Sequence, residues 1–218
     1  MDNYLYIASI DLLENNDTYN KAYQIISKQR RDKVDKLKFI NDKKLSILSE
    51  VLLKKALTDL NIDINFELTY NKYQKPYLYN NDIYFNISHS VEYAICAISK
   101  DEVGCDIEYI KDIDMRIANK FFTNNEYNTI INSNNHLDTF YRIWTLKESF
   151  MKNLGLGFNL ELNDFEIELS NNPIVIQKIN NNKYYFKEIE INDYKCSVCL
   201  LNNNDVVVRK ISLEQIDI

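Results

Sequence analysis

The chain has 218 residues, 45% of them hydrophobic, enough to bury the core of one large domain or of two smaller halves. Its formal net charge of −6 excludes a global field that would hold a nucleic acid, so any anion site has to be local. No apolar run approaches the roughly 20 residues of a membrane span, and the acidic start lacks the pattern of a signal peptide, so a cytoplasmic protein without a membrane partner is expected.

In chain order, "NYLYIASIDLL" alternates as a strand, and a basic amphipathic stretch leads into "LSILSEVLLKKAL", which has helical spacing. "DIYFNIS" and "YAICAIS" then read as a strand pair. The order repeats. "VGCDIEYI" reads as a strand, "MRIANKFF" and "TNNEYNTIINS" as short helices, "TFYRIWTLKESFMKNL" as a long helix, and "FEIEL", "PIVIQKI", "KYYFKEIEI" and "YKCSVCLL" as strands. The expected fold is α+β: two similar halves related by pseudo-twofold symmetry, residues 1–103 and 104–218, each with helices on a small antiparallel sheet, and a site in the cleft between them. The Cys196 and Cys199 pair in "CSVC" has metal-like spacing, but on a strand residues three apart point to opposite faces, so the thiols diverge and pack as buried hydrophobes.

Ile143, Leu146, Phe150 and Leu154 form the core stripe of the long helix. A second stripe, Trp144, Lys147, Glu148, Met151 and Lys152, mixes an aromatic ring, a carboxylate and two ammonium groups, a face suited to a charged cleft. Asp106 and Glu108 lie on one face of a strand, about 7 Å apart, where two like charges call for a cation or a lysine between them. Hard divalent ions, Mg²⁺ above all, take one or two such carboxylates together with phosphates and waters, and Glu148 is the candidate third. His89 in "NISHS" stands at a polar strand end between hydroxyls. In "YQKPYL" the Lys75 stem and the Pro76 ring offer a flat surface for a base, and "SKQRRDKVDKLKFINDKK" places eight Lys/Arg against three Asp between positions 28 and 44. There is no glycine-rich phosphate loop, so phosphates would be held by side chains and metal.

Together "QKP", "FNISHS", "VGCDIEYI", "FFTNNEY" and "WTLKESFMKNLGLGF" resemble, in order and spacing, the surfactin-type (Sfp-like) 4'-phosphopantetheinyl transferases over nearly the whole chain. The resemblance implies transfer of 4'-phosphopantetheine from coenzyme A to a serine of an apo acyl or peptidyl carrier protein, releasing adenosine 3',5'-bisphosphate. It implies that Asp106, Glu108 and Glu148 gather Mg²⁺ (or Mn²⁺), that Lys152 neutralises the phosphates, and that Glu148 or a water it holds takes the serine proton. It implies further that His89 meets the 3'-phosphate, that Lys75, Pro76 and Ser88 form the adenine pocket, and that Arg30, Lys33 and Ser46 bind coenzyme A phosphates. Glu126 matches a family position, but "TNNE" is equally a capping box closed by Thr123 and Glu126. The chain departs from the family at Gln74, usually glycine, and at Leu45, often arginine. A monomer is expected, docking its acidic carrier near "NTIINSNNHLDTF". A metal-dependent phosphodiesterase or nuclease, or a noncatalytic coenzyme A-binding protein, are the competing readings.

Overall fold

The computed structural model describes residues 2–212, the side chain of Phe158 excepted. Strand β1 (Asn3–Ser9) is buried on both faces: Tyr6 and Ala8 turn toward the helices of the first half, Leu5 and Ile7 toward the second half. That double burial explains the near-continuous apolar run of its centre. Helices α1 (Asn16–Ile25) and α2 (Lys28–Lys36) follow, each started by a side chain that accepts from the first turn, Asn15 for α1 and Ser27 for α2. Helix α3 (Ile40–Asp59) lays Ile47, Leu48, Val51 and Leu52 against the sheet. A short hairpin, β2 (Leu68–Tyr70) and β3 (Pro76–Leu78), precedes the antiparallel pair β4 (Tyr84–Ser90) and β5 (Tyr93–Ser99).

The second half repeats this order. Strand β6 (Val103–Tyr109) leads to α4 (Arg116–Phe121), α5 (Asn124–Ile131) and the long α6 (His136–Leu154). The hairpin β7 (Glu166–Glu168) and β8 (Ile174–Ile176) then precedes the antiparallel pair β9 (Tyr185–Ile191) and β10 (Tyr194–Leu200). The sheet orders correspond: β1-β5-β4 in one half matches β6-β10-β9 in the other. Leu5, Ile7, Ile95 and Ala97 pack face to face with Val103, Cys105, Ile107, Cys196 and Val198, which joins the halves through an apolar core.

Several elements were not foreseen, among them α1, the β2–β3 hairpin and, after β10, strand β11 (Val206–Lys210). From the 104–218 segment, β11 runs parallel to β1 and forms the edge of the first half's sheet. Its residues are half-buried or exposed, so it carries no alternating signal, and only the β-branched run "VVV" marks it. Residues 213–218 of that half lie outside the described residues. The four cysteines are free and buried, and Cys196 and Cys199 fall into different core clusters, on opposite faces of β10.

Candidate active site

The seam between the sheets is built from polar side chains at alternate positions. Strand β4 turns Asn86, Ser88 and Ser90 toward β6. Asn86 Oδ1 accepts from Cys105 N at 2.9 Å, Ser88 Oγ donates to Asp106 Oδ1 at 2.9 Å, and Ser90 Oγ donates to Glu108 Oε2 at 3.0 Å. The two-residue period of a strand thus hands both carboxylates of the D-x-E pattern to hydroxyls of the other half. On the other side α6 comes unusually close. A Cβ on Gly104 would stand 2.0 Å from Ser149 O and 2.3 Å from Asn153 N, so only glycine admits the helix there. One helical turn is then enough for Lys152 Nζ to reach Asp106 Oδ1 at 2.5 Å and Ser88 Oγ at 3.0 Å.

Two adjoining cavities open along this seam. One, of about 380 Å³, is lined by Ser88, His89, Asp106, Glu108, Trp144, Glu148 and Lys152. The other, of about 300 Å³, has a more apolar lining that includes Tyr73, Pro76, Met151 and Gly157. Ile87, Glu148 and Lys152 belong to both. Partial burial, then the neighbouring Asp106 and Glu148, push the Glu108 carboxyl up to about 7. Burial and Asp106 also raise Glu148, against the pull of Lys152. Burial drags the Lys152 ammonium down, Asp106 more than offsets it, and the net shift is upward. His89 stands exposed at the rim, where loss of surrounding water and the charges of Lys152, Lys33 and Arg30 hold its imidazole below the ordinary value.

Among the described residues no three His, Cys, Asp or Glu side chains form a ready-made metal cage. Asp106, Glu108 and Glu148, the residues expected to gather one ion, share a cavity, and Lys152 occupies one oxygen of Asp106. Asp106 Oδ2, in contrast, is buried without a hydrogen-bond partner. An orphaned carboxylate oxygen beside two carboxyls whose proton affinity burial and Asp106 both raise fits a hard cation completed by substrate phosphates and water.

The sequence comparisons decide the family. The model described as 4'-phosphopantetheinyl transferase superfamily matches residues 102–199, and that described as 4'-phosphopantetheinyl transferase, N-terminal, matches 14–101. The 4'-phosphopantetheinyl transferase gsp of Aneurinibacillus migulanus is 37% identical over 190 residues, 84% of this chain and 79% of the relative. The chain belongs to the 4'-phosphopantetheinyl transferase superfamily. The 4'-phosphopantetheinyl transferase Sfp of Bacillus subtilis (strain 168) is 32% identical over 80% of this chain and 81% of its own. The L-aminoadipate-semialdehyde dehydrogenase-phosphopantetheinyl transferase of Xenopus laevis is 30% identical over 88% and 69%.

In this phosphopantetheinyl transferase several expected site residues prove to have structural partners. Lys147 is fully buried, 2.6 Å from Glu126 Oε1, and donates to the carbonyls of Leu162 and Phe165. At about 100° per residue it sits only about 20° from Leu154, on the flank of the core stripe, so it leaves the Trp144–Glu148–Lys152 face. Glu126 closes the capping box with Thr123 and accepts from Ile167 N, which removes it from both cavities. The Lys75 ammonium is buried against Glu102 Oε2 (2.5 Å) and the Asn153 carbonyl (2.8 Å), so it offers the cavity its stem rather than its charge. Pro76 lines that cavity. Arg30 leans on the buried Glu50 at 3.4 Å, Lys33 is exposed on α2, and neither lines either of these two cavities, although both bear on His89. Ser46 is buried on α3 with its hydroxyl unpartnered.

The sequence reading did not single out Asn86, Ser90 and Tyr73, whereas Met151 stood in the second stripe of the long helix. The polar period-two set Asn86, Ser88 and Ser90 was visible as N-x-S-x-S and signals a strand face turned toward polar partners. Tyr73 carried no such signal.

Proposed function

We propose that the protein transfers the 4'-phosphopantetheine of coenzyme A to a serine hydroxyl of an apo acyl or peptidyl carrier protein, releasing adenosine 3',5'-bisphosphate. The observation that carries this reading is the shared wall: Ile87, Glu148 and Lys152 line both an acidic cavity and an adjoining apolar one. A pyrophosphate beside Lys152 and the carboxylates, with its nucleoside over Pro76 and Tyr73, would occupy the two together.

Asp106, Glu108 and Glu148 would hold Mg²⁺, with Mn²⁺ as a substitute. When bound, the ion supplies charge neutralisation of the pyrophosphate oxygens. The remaining work belongs to side chains present here. Asp106 and Ser88 fix the Lys152 ammonium at the phosphate position, where it stabilises charge that builds on the bridging oxygen as the P–O bond breaks. Glu148, whose proton affinity is raised and whose helix borders both cavities, takes the proton of the attacking serine. Lys33 and Arg30, whose charges bear on His89, offer a cationic rim to the 3'-phosphate, and the neutral His89 imidazole adds an N–H donor. The exposed Ile117, Phe121 and Ile131 of α4 and α5 supply an apolar face for the carrier, close to the docking segment read from the sequence.

Three points support a single-chain enzyme working in the cytoplasm: the core that joins the halves is complete, both cavities lie within one chain, and no helix among the described residues is long and apolar enough to cross a membrane. The test is an intact-mass measurement on a panel of apo carrier proteins incubated with enzyme, coenzyme A and Mg²⁺. Gain of a phosphopantetheine mass on at least one carrier is expected. Hydrolysis of coenzyme A or of nucleic acid, with no carrier modified, would contradict the reading.

A further inference from the structure

Strands β4 and β6 meet as the edges of two different sheets, and side chains of β4 hold them together. The N–H groups of Cys105 and Tyr109 on β6 donate to Asn86 Oδ1 (2.9 Å) and Ser90 Oγ (3.1 Å), as they would donate to a neighbouring backbone in a ladder. Ser90 uses the same hydroxyl twice. Its oxygen accepts the Tyr109 N–H, and its proton goes to Glu108 Oε2 at 3.0 Å. That is the one hydrogen bond the Glu108 carboxylate makes among the described residues, and Oε1 is left open. Asp106 is held more firmly, because it is buried and both Ser88 and Lys152 donate to its Oδ1. Glu108 is only half-buried, sits on a long flexible stem, and is repelled by the charges of Asp106 and Glu148. Without Ser90 that repulsion would turn the carboxylate out toward water.

We propose that Ser90 is a positioning residue for the cation site: from the opposite half it holds Oε2 of Glu108, which keeps that carboxylate in the cavity wall with Oε1 free. The inference rests on the reading of Asp106, Glu108 and Glu148 as the residues that hold Mg²⁺. Both carboxylates of the strand are treated alike. A serine of β4 takes one oxygen of each and leaves the other, and the two serines stand two residues apart because the two carboxylates do. Ser90 is itself anchored, since the Tyr109 N–H on its oxygen fixes the hydroxyl and leaves its proton for Glu108. Ser90 lines neither cavity, so it acts on a ligand only through Glu108. A hydrogen bond of this kind, made to the back of a metal-holding group, is worth about 10- to 100-fold in metal affinity.

The experiment is a calorimetric titration of Mg²⁺ into protein saturated with coenzyme A, with no carrier present. It compares the wild type, Ser90→Ala, Ser90→Thr, Glu108→Gln and the double variant Ser90→Ala with Glu108→Gln. Ser90→Ala should weaken Mg²⁺ binding about tenfold, while coenzyme A binding measured without Mg²⁺ keeps its affinity. Ser90→Thr retains the hydroxyl and should restore the wild-type value. In the Glu108→Gln background Ser90→Ala should make no further difference, because the serine acts through that carboxylate. In steady-state transfer the same factor should appear in the Mg²⁺ concentration for half-maximal rate, with kcat at saturating Mg²⁺ unchanged. Wild-type Mg²⁺ affinity in Ser90→Ala, an equal loss in Ser90→Thr, or an undiminished effect of Ser90→Ala in the Glu108→Gln background would each overturn the inference. A wild type that binds no Mg²⁺ beside coenzyme A would sink the reading of the three carboxylates and the role of Ser90 with it. A wild type that binds Mg²⁺, responds to Ser90→Ala as stated and modifies no carrier would sink the transferase reading alone.

Discussion

Lys152 Nζ stands 2.5 Å from Asp106 Oδ1, while Oδ2 of the same carboxylate is buried without a partner. One oxygen thus orients the lysine and the other is left for a ligand. Asp106→Asn keeps the shape and removes the charge from both tasks. It is expected to cost about 2 kcal/mol of stability, below the usual price of breaking a buried pair because Lys152 keeps part of its water. Transfer should fall at least about 100-fold. Urea unfolding and single-turnover transfer check the two figures, and Lys152→Met in the Asp106→Asn background should cost less stability than the two single changes added together.

Gly104 sets the distance over which that pair can form. In Gly104→Ala the new Cβ meets backbone atoms of Ser149 and Asn153, which cannot rotate away as a side chain would. The helix must shift off β6, at about 2–4 kcal/mol. Denaturant titration should show the loss of stability, and transfer measured well below the unfolding midpoint should still be impaired, because Glu148 and Lys152 move with the helix.

Lys147 and Glu126 behave differently, because their pair holds α5, α6 and β7 together away from the cavities. Lys147→Met alone leaves a buried carboxylate unpaired and is expected to lower stability by about 3–5 kcal/mol. Lys147→Met with Glu126→Gln should recover a large part of that loss. Thermal unfolding of the three variants measures this. Recovered stability should bring recovered transfer, since neither side chain lines a cavity.

Glu108 gives the protein a pH signature. Its carboxyl is raised from 4.5 to about 7, so the folded state holds the proton more tightly than the unfolded chain does. Its contribution to stability is complete below pH 4.5 and is lost as pH rises through about 7. Melting temperatures measured across that window should fall more for the wild type than for Glu108→Gln. Ligation of a cation asks for the ionised carboxylate, so affinity for Mg²⁺ with coenzyme A should move the opposite way and strengthen as pH rises through the same window. Calorimetry in two buffers of different ionisation enthalpy should register proton release below pH 7.

The sequence made the two-half order legible because each half runs strand, helix and strand pair with strong periodicity, whereas the three-residue strands of the β2–β3 hairpin are too short to show one. It also made legible that Asp106 and Glu108 share a face, since the period of a strand leaves no alternative. The partners of the lysines were out of reach. Lys147 and Lys152 both looked like cleft residues, although helical arithmetic already sets Lys147 beside the core stripe, and the packing of Leu162, Phe165 and Glu126 around it makes the separation plain. Lys75 was misleading for the same reason: Glu102 is distant in sequence and comes near only when the β2–β3 turn docks on the end of α6. Strand β11 escaped because an exposed edge strand has no buried face to impose alternation.

The most direct measurement is a calorimetric titration of coenzyme A, with and without Mg²⁺, into the wild type, Asp106→Asn and Glu148→Gln. The account predicts that Mg²⁺ tightens coenzyme A binding by at least about tenfold in the wild type, or 1.4 kcal/mol of coupling, and by little in either variant. Equal tightening in all three proteins would place the phosphates away from Asp106 and Glu148 and contradict it.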